Sequence, residues 1–379
     1  MTLPPKICFI EGSAYAVLDP NVKKASTGGE SVQHALLARA FVERGWRVSM
    51  ISSDLGQEDG TVVGGVTVWK TQTRTGGLPV LRFLYPRLYK NWRALRKADA
   101  DIYFHSCAGY MTGIVAWFVA RRNRKMVFRI AHDTDCVPGE ELIKFERDRR
   151  LYQYGLRRAN LISAQSAQQA KALVENYGLE SHEVDMSAEI PDDPDDAARD
   201  IDVLWVNNFR EFKRPELLID IARRMPDTRF TMIGGKMKGS EALYDGVKEQ
   251  AMELGNIDFV GGVPYSDVNA YFERAKLFLN TSDSEGFPNS YLQAWVRRVP
   301  VISYFDPDGL INSMEIGVSV ESQDAFVEPL TELLADDEKR GKMGHQARQF
   351  VIDRYSPQAI AAEYERLFDK HFGISVADA

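Results

Sequence analysis

The sequence has little cysteine and no long apolar run, and both shortages limit the classes of protein to which it can belong. Its 379 residues include three widely spaced cysteines, Cys8, Cys107 and Cys136. We expect buried, reduced thiols in a cytoplasmic protein rather than a disulfide framework or a cysteine metal site. The longest apolar stretch, residues 110–120, is shorter than the ~20 residues that a membrane-spanning helix requires. A secretory signal is not evident at the start either, which favours the cytoplasm.

A strongly basic charge is also missing, and the acidic excess is local. The net charge is −7, and residues 183–202 contain nine acidic residues against one arginine. The rest of the chain is close to neutral, so a nucleic-acid partner is not indicated. Because the acidic segment contains proline and few apolar residues, we predict an interdomain linker at residues 186–200.

Short apolar strands alternate with helical segments in both halves of the chain, which predicts an α/β fold with parallel sheets. The first predicted strand, Lys6–Ile10, is followed by a loop that reaches Gly28 and Gly29. These glycines do not match G-x-G-x-x-G, so a dinucleotide-binding dehydrogenase is disfavoured. We predict a first domain at residues 1–185 and a second at residues 201–356. A helix at about residues 357–379 could pack back on the first domain.

Candidate functional side chains follow predicted strands, at the edge where parallel α/β sheets bind ligands. His132 ends the strand-like residues 125–131, and Lys213 lies in the polar loop after residues 202–206. A lysine there can neutralise a diphosphate. A structural histidine and a solvent-exposed lysine remain open alternatives for these two residues.

Residues 280–300 form a strand–loop–helix corner. The apolar residues 277–279 lead into a turn-rich loop that contains Glu285, and helical residues follow. Since first-turn N–H groups lack partners within a helix, a glycine loop at a helix start can bind an anion. The alternative is an ordinary capped corner with no ligand.

Four segments, taken in chain order, resemble motifs of the retaining GT-B glycosyltransferases of family 4. The most specific is SEGFPNS at residues 284–290, which with Gln293 is similar to the family's E-x7-E signature. The other three are the glycine pair Gly28-Gly29, FRIAHD at residues 128–133 and NFREFK at residues 208–213. The resemblance covers nearly the whole chain. It implies a GT-B fold, with two Rossmann-like α/β domains whose parallel sheets face a central cleft.

The resemblance also implies roles for the matching residues. Lys213 would bind the donor diphosphate and stabilise the leaving group, Glu285 would contact the hydroxyls of the transferred sugar, and His132 would lie beside that sugar. Gly28 and Gly29 would let the backbone approach the diphosphate or the acceptor closely. The other expected donor contacts are Asn208, Arg210, Gly286, Phe287, Asn289, Ser290, Tyr291 and Gln293. Backbone N–H groups from Asn289 to Tyr291 would bind phosphate.

Two positions depart from the family pattern. Asn208 stands where the family has arginine, and Arg210 could supply that charge from two residues along. Gln293 replaces the second glutamate of the signature. A glutamine can still bind ribose hydroxyls, although it is neutral and also donates. We therefore expect weaker or altered nucleotide binding rather than lost activity.

We expect no metal and no other cofactor. Asp133-Thr134-Asp135 has metal-like spacing, but it follows His132 in the first half, and we interpret it as an acceptor-side loop. Phosphate charge would instead be met by Lys213, Arg210 and helix dipoles.

The segment from Arg82 to Lys97 contains six basic and no acidic residues. A helix from Pro86 onward would align Leu88, Tyr89, Trp92 and Leu95, as in a helix that lies on an anionic membrane surface. The alternative is a packed helix with a solvated basic face.

The sequence thus predicts a retaining hexosyltransferase with a UDP- or GDP-linked sugar as donor. Its acceptor would be a glycan, a lipid-linked precursor or a polysaccharide precursor, handled at the inner face of the membrane. Two alternatives remain. One is a non-catalytic sugar-nucleotide-binding protein on a degenerate GT-B scaffold, suggested by Asn208 and Gln293. The other is a GT-B epimerase or phosphorylase-like enzyme.

Overall fold

A computed structural model describes residues 3–19, 22, 29–73, 83–192, 199–237, 239–283 and 287–376. The chain divides into two compact units. Unit 1 comprises Met1–Ser187 and Pro357–Ala379, and unit 2 comprises Ala188–Ser356. Each unit is an α/β body with its own sheet.

Unit 1 contains an eight-stranded sheet in the order β3-β4-β2-β1-β5-β6-β7-β8. All neighbouring pairs are parallel except the β3–β4 hairpin at one edge. The central strand β5 is buried at every residue, as expected for a parallel strand covered on both faces. The strands are Lys6–Ile10 (β1), Arg47–Ser52 (β2), Thr61–Val63 (β3), Val66–Lys70 (β4), Ile102–Ser106 (β5), Lys125–Arg129 (β6), Leu161–Ala164 (β7) and His182–Glu183 (β8).

Helices cover both faces of this sheet. One of them, Ala167–Tyr177, is capped at both ends. The Ser166 hydroxyl accepts the Gln169 N–H at the start of this helix, and Gly178 ends that helix at φ 64°, where glycine is unstrained. The helices are Tyr15–Leu18 (α1), Gly29–Glu43 (α2), Tyr89–Ala98 (α3), Tyr110–Arg122 (α4), Glu146–Leu156 (α5), Ala167–Tyr177 (α6) and, from the end of the chain, Pro357–Phe372 (α14).

Helix α14 belongs to unit 1 although unit 2 separates it from the rest of that unit in sequence. Its Phe368 ring stacks on Phe41 of α2 with centroids 6.0 Å apart. Its Tyr364 hydroxyl is hydrogen-bonded to Ser163 of β7 at 2.9 Å, and its Glu365 carboxylate accepts the Trp46 indole N–H at 2.6 Å. Tyr364 and Phe368 are fully buried, so α14 completes the core of unit 1.

Unit 2 contains a six-stranded parallel sheet in the order β11-β10-β9-β12-β13-β14. Its strands are Ile201–Val206 (β9), Phe230–Ile233 (β10), Ile257–Gly261 (β11), Ala275–Asn280 (β12), Val301–Ser303 (β13) and Gly317–Ser319 (β14). Its helices are Pro215–Arg224 (α7), Glu241–Leu254 (α8), Tyr265–Arg274 (α9), Asn289–Trp295 (α10), Leu310–Ser313 (α11), Val327–Ala335 (α12) and Asp337–Tyr355 (α13).

Two expectations from the sequence need correction. Cys8 and Cys136 are buried, but Cys107 is exposed, because it lies just beyond the end of β5. The strand predicted for residues 125–131 ends at Arg129, so His132 lies three residues past the strand rather than at its end.

The basic segment that ends at Lys97 is a packed helix rather than one with a free apolar stripe. Leu95 is fully buried, and Trp92 packs on Trp117 and Phe118 of α4. Tyr89, in contrast, is 55% exposed. Because α3 packs against the sheet, Leu95 of the predicted apolar stripe is buried in the protein and does not face solvent. Arg82 itself lies outside the described residues.

Candidate functional site

The carboxyl edge of the unit 2 sheet brings several polypeptide segments close together. A Cβ atom on Gly234, just after β10, would lie 2.0 Å from the carbonyl oxygen of Asn207, just after β9. Only glycine allows this approach. The backbone segments that follow these neighbouring strands therefore lie close together, at the edge where α/β sheets bind ligands.

Lys213 lies at this edge, in a short 3-10 turn, Glu211–Lys213, that separates β9 from α7. Its side chain is half-buried, and its ammonium nitrogen lies 5.0 Å from the centre of the Phe212 ring. Helix α7 begins directly afterwards with Pro215, a residue suited to a first helical position. This geometry fixes the backbone of Lys213 at the edge of the sheet.

The Lys213 turn is hydrogen-bonded to the segment that follows β12. The Thr281 hydroxyl donates to the Lys213 carbonyl at 2.7 Å and accepts the indole N–H of Trp205 at 2.9 Å. The N–H of Asp283 donates to the Phe212 carbonyl at 2.9 Å. Hydrogen bonds thus join two segments that lie about 70 residues apart in sequence.

Asn280, the last residue of β12, is a second junction at this edge and is fully buried. Its amide nitrogen donates to the Tyr291 hydroxyl at 2.9 Å. Its amide oxygen accepts the backbone N–H and the hydroxyl of Ser282, at 3.0 and 2.7 Å. The sequence prediction missed Asn280 and Thr281; the only available signal was a polar Asn-Thr-Ser run directly after an apolar strand.

Tyr291 has a structural role that corrects one predicted contact. Its N–H donates to the Pro288 carbonyl at 3.0 Å, and its buried hydroxyl donates to the Phe305 carbonyl at 2.8 Å. Because this N–H is used within the first turn of α10, we restrict the phosphate-binding expectation to Asn289 and Ser290. Asn289 is exposed and Ser290 is half-buried.

The other predicted donor contacts of unit 2 are distributed around this edge. Gln293 is half-buried, and its amide donates to the Asn269 side chain at 3.1 Å. The Phe287 ring packs 5.4 Å from Tyr355, centroid to centroid. Asn208 and Arg210 are exposed, with Arg210 directly before the Lys213 turn. Arg210 can therefore supply a positive charge near Lys213, which the neutral amide of Asn208 cannot.

Three predicted site residues, Gly28, Glu285 and Gly286, lie outside the described residues. Gly29 is the first residue of α2. The described residues nearest to Glu285 in sequence are Asp283 and Phe287.

His132 is exposed and opens a 3-10 turn, Asp133–Cys136, beyond β6. Its backbone N–H donates to the Asp135 carboxylate at 3.1 Å, and Asp135 N–H donates back to the His132 carbonyl at 3.0 Å. This reciprocal pair fixes the backbone of His132 and leaves its ring at the surface of unit 1.

A buried ion pair secures the start of α2 to the sheet of unit 1. Arg129, the last residue of β6, is 1% exposed and lies 2.8 Å from the carboxylate of Glu30. On the next turn, the ring of His34 is hydrogen-bonded to the Ser106 hydroxyl at 2.9 Å. Glu30 directly follows Gly29, the first residue of α2, so this cluster fixes the start of that helix. The sequence prediction did not find this pair.

Burial and charge shift the protonation of this cluster. Burial raises the pKa of Glu30, but the positive charge of Arg129 and its hydrogen bond to Glu30 outweigh burial, so the pKa lies below its usual range. Burial lowers the pKa of His34 to about 3, against the opposing effect of Glu30. Burial likewise lowers the pKa of His105 to about 4. Glu30 is therefore ionised and both histidines are neutral at pH 7.

The Asp133-Thr134-Asp135 segment uses its carboxylates within the protein. Asp133 accepts the Gln169 side-chain amide at 2.9 Å, and buried Asp135 accepts the His132 N–H. Burial raises the pKa of Asp135, which disfavours its charged form. Among the residues that the structure describes, no cluster of three His, Cys, Asp or Glu side chains is suited to hold a metal ion.

Two family models match the chain in succession. The model described as Glycosyl transferase 4-like domain matches residues 28–187, and Glycosyl transferases group 1 matches residues 186–350. The O-antigen biosynthesis glycosyltransferase WbnH of Escherichia coli is 29% identical over 194 residues, which are 49% of this chain and 54% of that protein. The lipopolysaccharide core biosynthesis glycosyltransferase LpsE of Rhizobium meliloti is 25% identical over 172 residues, 44% of this chain and 48% of that protein. The chain spans about half the length of these curated relatives.

Solved structures match nearly the whole chain. The sucrose-phosphate synthase from Thermosynechococcus elongatus matches with a TM-score of 0.67 and 19% identity, over 98% of this chain and 100% of that chain. Anabaena Alr3699/HepE, solved with UDP and glucose, matches with a TM-score of 0.62 and 16% identity, over 97% of this chain and 100% of that chain. These likenesses concern the fold, and with the two parallel sheets they confirm the predicted two-domain Rossmann-like GT-B class.

Proposed function

The chain belongs to the GT-B glycosyltransferases of the family 4 type, and from this premise we propose that it transfers a hexose from a nucleoside-diphosphate sugar with retention of anomeric configuration. The donor is UDP- or GDP-linked. The acceptor is a glycan, a lipid-linked precursor or a polysaccharide precursor. The named activities of WbnH and LpsE, in O-antigen and lipopolysaccharide core biosynthesis, support this class of acceptor.

The observation that carries the proposal is the bond between the Lys213 turn and the Thr281 segment. It sets a lysine beside the segment that leads, through the Glu285 loop, into α10. A cation near first-turn N–H groups suits a diphosphate. Lys213 neutralises the charge that grows on the leaving diphosphate as the glycosidic bond breaks, and Arg210 adds a second positive charge close by.

The proposed transfer needs no pair of catalytic carboxylates. The bond between the anomeric carbon and the diphosphate oxygen breaks, and the acceptor oxygen forms a new bond to that carbon. The proton of the acceptor hydroxyl passes to the departing diphosphate. Glu285 and His132 are proposed to position the transferred sugar. We propose that Lys213, Arg210 and the start of α10 neutralise the phosphate charge without a metal.

Turnover of UDP- and GDP-sugars by the Lys213→Ala variant tests the proposal. We expect turnover to fall about 10²–10³-fold, as when one preorganised electrostatic group is removed, while the circular dichroism spectrum is unchanged. Lys248→Ala, which removes an exposed lysine of α8, is the matched control. A near-normal rate in Lys213→Ala would reject the role of Lys213. Activity that survives EDTA would support metal independence.

The same assay separates the alternatives. Free nucleoside diphosphate formed together with a glycosylated acceptor indicates transfer. Interconversion of the nucleotide sugar without free diphosphate indicates an epimerase. Binding without hydrolysis or transfer, across a broad acceptor panel, indicates a sugar-nucleotide sensor, for which Asn208 and Gln293 are the sequence argument.

We also propose that unit 1 contacts an anionic membrane surface through a set of residues on α3, on α4 and in the segment just before α3, which we name the aromatic–basic patch. Tyr85, Tyr89 and Trp117 are 64%, 55% and 39% exposed. Exposed Arg93, Arg96 and Arg121 accompany them, and Arg121 lies 4.3 Å from the Trp117 ring centre. Exposed aromatic rings beside arginines suit the interface of an anionic bilayer. Within the described ranges, no helix is long and apolar enough to cross a bilayer.

A further inference from the structure

The strand order of unit 1 reverses between β1 and β5. From β1 the chain continues to its neighbour β2 on one side, and from β5 it continues to β6 on the other. Ligands of open α/β sheets bind outside the carboxyl ends of the strands at such a reversal. In unit 2 the corresponding reversal lies between β9 and β12, the strands that precede Lys213 and Thr281. By the same rule we expect a ligand at the carboxyl ends of β1, β5 and β6, which we name the unit 1 edge.

The first turn of α2 lies against the unit 1 edge. Glu30, the second residue of α2, accepts a hydrogen bond from Arg129 at 2.8 Å. His34, four residues later, is hydrogen-bonded to Ser106 at 2.9 Å. Arg129 and Ser106 are the last residues of β6 and β5. Two polar contacts thus join the start of α2 to the edge at which a ligand is expected.

Apolar packing holds the later part of α2 but not its first turn. The residues that α2 contributes to the hydrophobic core begin at Ala35. Such apolar contacts are not directional, whereas a hydrogen-bonded ion pair fixes both a distance and an orientation. The position of Glu30, and of the backbone around it, is therefore set by its partner Arg129.

Stability alone is a poor explanation for the pair of Arg129 and Glu30. Arg129 is 1% exposed, and the side chain of Glu30 is 20% exposed, so both charges lose most of their hydration. The attraction between buried charges does little more than offset that loss, and well-packed apolar side chains of similar volume are often at least as stabilising. The pair is better explained by the position that it imposes on the start of α2.

We propose that Arg129 is a positioning residue of the sugar transfer: through Glu30 it fixes the first turn of α2 where the unit 1 edge binds a sugar substrate. That substrate is either the sugar of the donor or the acceptor. Because Arg129 is itself buried, it acts through α2 and does not touch the substrate. The inference rests on the proposed transferase function, and it assigns a role in that function to a side chain remote from Lys213 in sequence.

Turnover in the double variant Glu30→Met/Arg129→Met tests this role. Since both charges are replaced by apolar side chains, we expect a melting temperature close to that of the unmodified protein. Turnover of UDP-glucose or GDP-mannose, whichever the unmodified protein uses, should fall about 10–100-fold, because a misplacement of ~1 Å can have an effect of that size. A merely structural pair would instead let turnover recover together with stability.

Binding of the nucleotide and of the nucleotide sugar, measured by calorimetry, separates the two substrates. Affinity for UDP or GDP, which the proposed function assigns to the edge that holds Lys213, should not change. A lower affinity for the nucleotide sugar in the double variant assigns the first turn of α2 to the sugar of the donor. An unchanged affinity with lower turnover assigns it to the acceptor. Either result supports the proposal, whereas an equal loss of UDP or GDP affinity would overturn it.

Two further variants keep the test decisive. Glu30→Asp retains both charges but shortens the acid by one methylene group, so it displaces the pair and should also lower turnover, even if the double variant does not fold. Arg124→Met breaks the ion pair to Asp101 at the opposite end of β6 and, as the matched control, should keep turnover. Normal turnover in the folded double variant or in Glu30→Asp, or an equal loss in Arg124→Met, would overturn the role of Arg129 alone. Absence of turnover in the unmodified protein would reject the proposed function itself.

Discussion

The Thr281 hydroxyl donates a 2.7 Å hydrogen bond to the backbone carbonyl of Lys213. Thr281 is fully buried, and it also accepts the indole N–H of Trp205. Because β9 and β12 are neighbours in the sheet, this one side chain couples the segments that leave both strands. The position of Lys213 thus depends on a residue that does not itself face solvent.

Thr281→Val should weaken both stability and turnover. Valine keeps the shape of threonine but leaves the Lys213 carbonyl and the Trp205 N–H without their hydroxyl partner. A buried polar group that loses its partner costs about 1–3 kcal/mol. We expect a loss of this size in urea unfolding of unit 2 and a lower turnover of nucleotide sugar. Thr281→Ser, which retains the hydroxyl, should lie close to the unmodified protein. Equal behaviour of the two variants would contradict the argument.

Gln293→Glu should strengthen nucleotide binding. A carboxylate accepts hydrogen bonds from ribose hydroxyls more strongly than a neutral amide does, and it cannot donate in their place. A gain of about 1 kcal/mol corresponds to a roughly fivefold lower Kd, which calorimetry with UDP and GDP would measure. Gln250→Glu, on the exposed surface of α8, is the control. A weaker or unchanged affinity in Gln293→Glu would indicate that Gln293 does not face the ribose.

Unit 1 should lose stability as the pH falls from 7.5 to 5. The pKa of His34 is about 3 in the folded protein and about 6.5 when unfolded. The unfolded state therefore binds more protons below pH 6.5, and folding stability falls with pH in that window. At pH 5 the loss is about 2 kcal/mol from His34, and His105 acts in the same direction.

Hydrogen exchange of the β5 and β6 peptides at the two pH values, corrected for intrinsic rates, measures this effect. Glu30 and Arg129, which face His34, keep their charges across the window. His34→Gln can still bond to Ser106, and it should reduce the pH dependence without abolishing it, because His105 remains. An unchanged pH dependence in His34→Gln would show that His34 is not its source.

Association with anionic vesicles should depend on the aromatic–basic patch. The variant Arg93→Glu/Arg121→Glu reverses two charges, and each basic residue near such a surface contributes about 1 kcal/mol. We expect co-sedimentation with phosphatidylglycerol vesicles to fall at least tenfold, and to fall with salt in the unmodified protein. Arg150→Glu reverses a charge on α5 that is 78% exposed and should have little effect. Vesicle binding that does not change with lipid charge or with salt concentration would contradict the membrane proposal.

Much of the architecture was predictable because apolar periodicity is local. The strand predicted at Lys6–Ile10 has those bounds in the structure, and Lys213 follows β9 as expected. Parallel strands then place their ends at one edge without further information. The sequence could not reveal which side chains pair with each other when they lie far apart along the chain. Arg129 was read as part of an apolar strand, because its partner Glu30 lies 99 residues away.

The site was predicted less completely than the fold. The motif resemblance identified Lys213 and the segment that includes Gln293, but not the buried residues that hold them. Asn280 and Thr281 act through hydrogen bonds to Tyr291 and Lys213, and no spacing rule encodes those bonds. Tyr291 was predicted to bind phosphate because it opens a helix, whereas its N–H is used within the first turn.

The position of α14 in the sequence affects the order in which the two units can fold during synthesis. Residues 1–187 leave the ribosome before α14, so their hydrophobic core lacks Tyr364 and Phe368 until α14 has been synthesised. Unit 2 is continuous in sequence and can fold during translation, whereas unit 1 must wait with an exposed apolar face. A premature stop before Pro357 would therefore leave the second unit intact and the first one prone to aggregation.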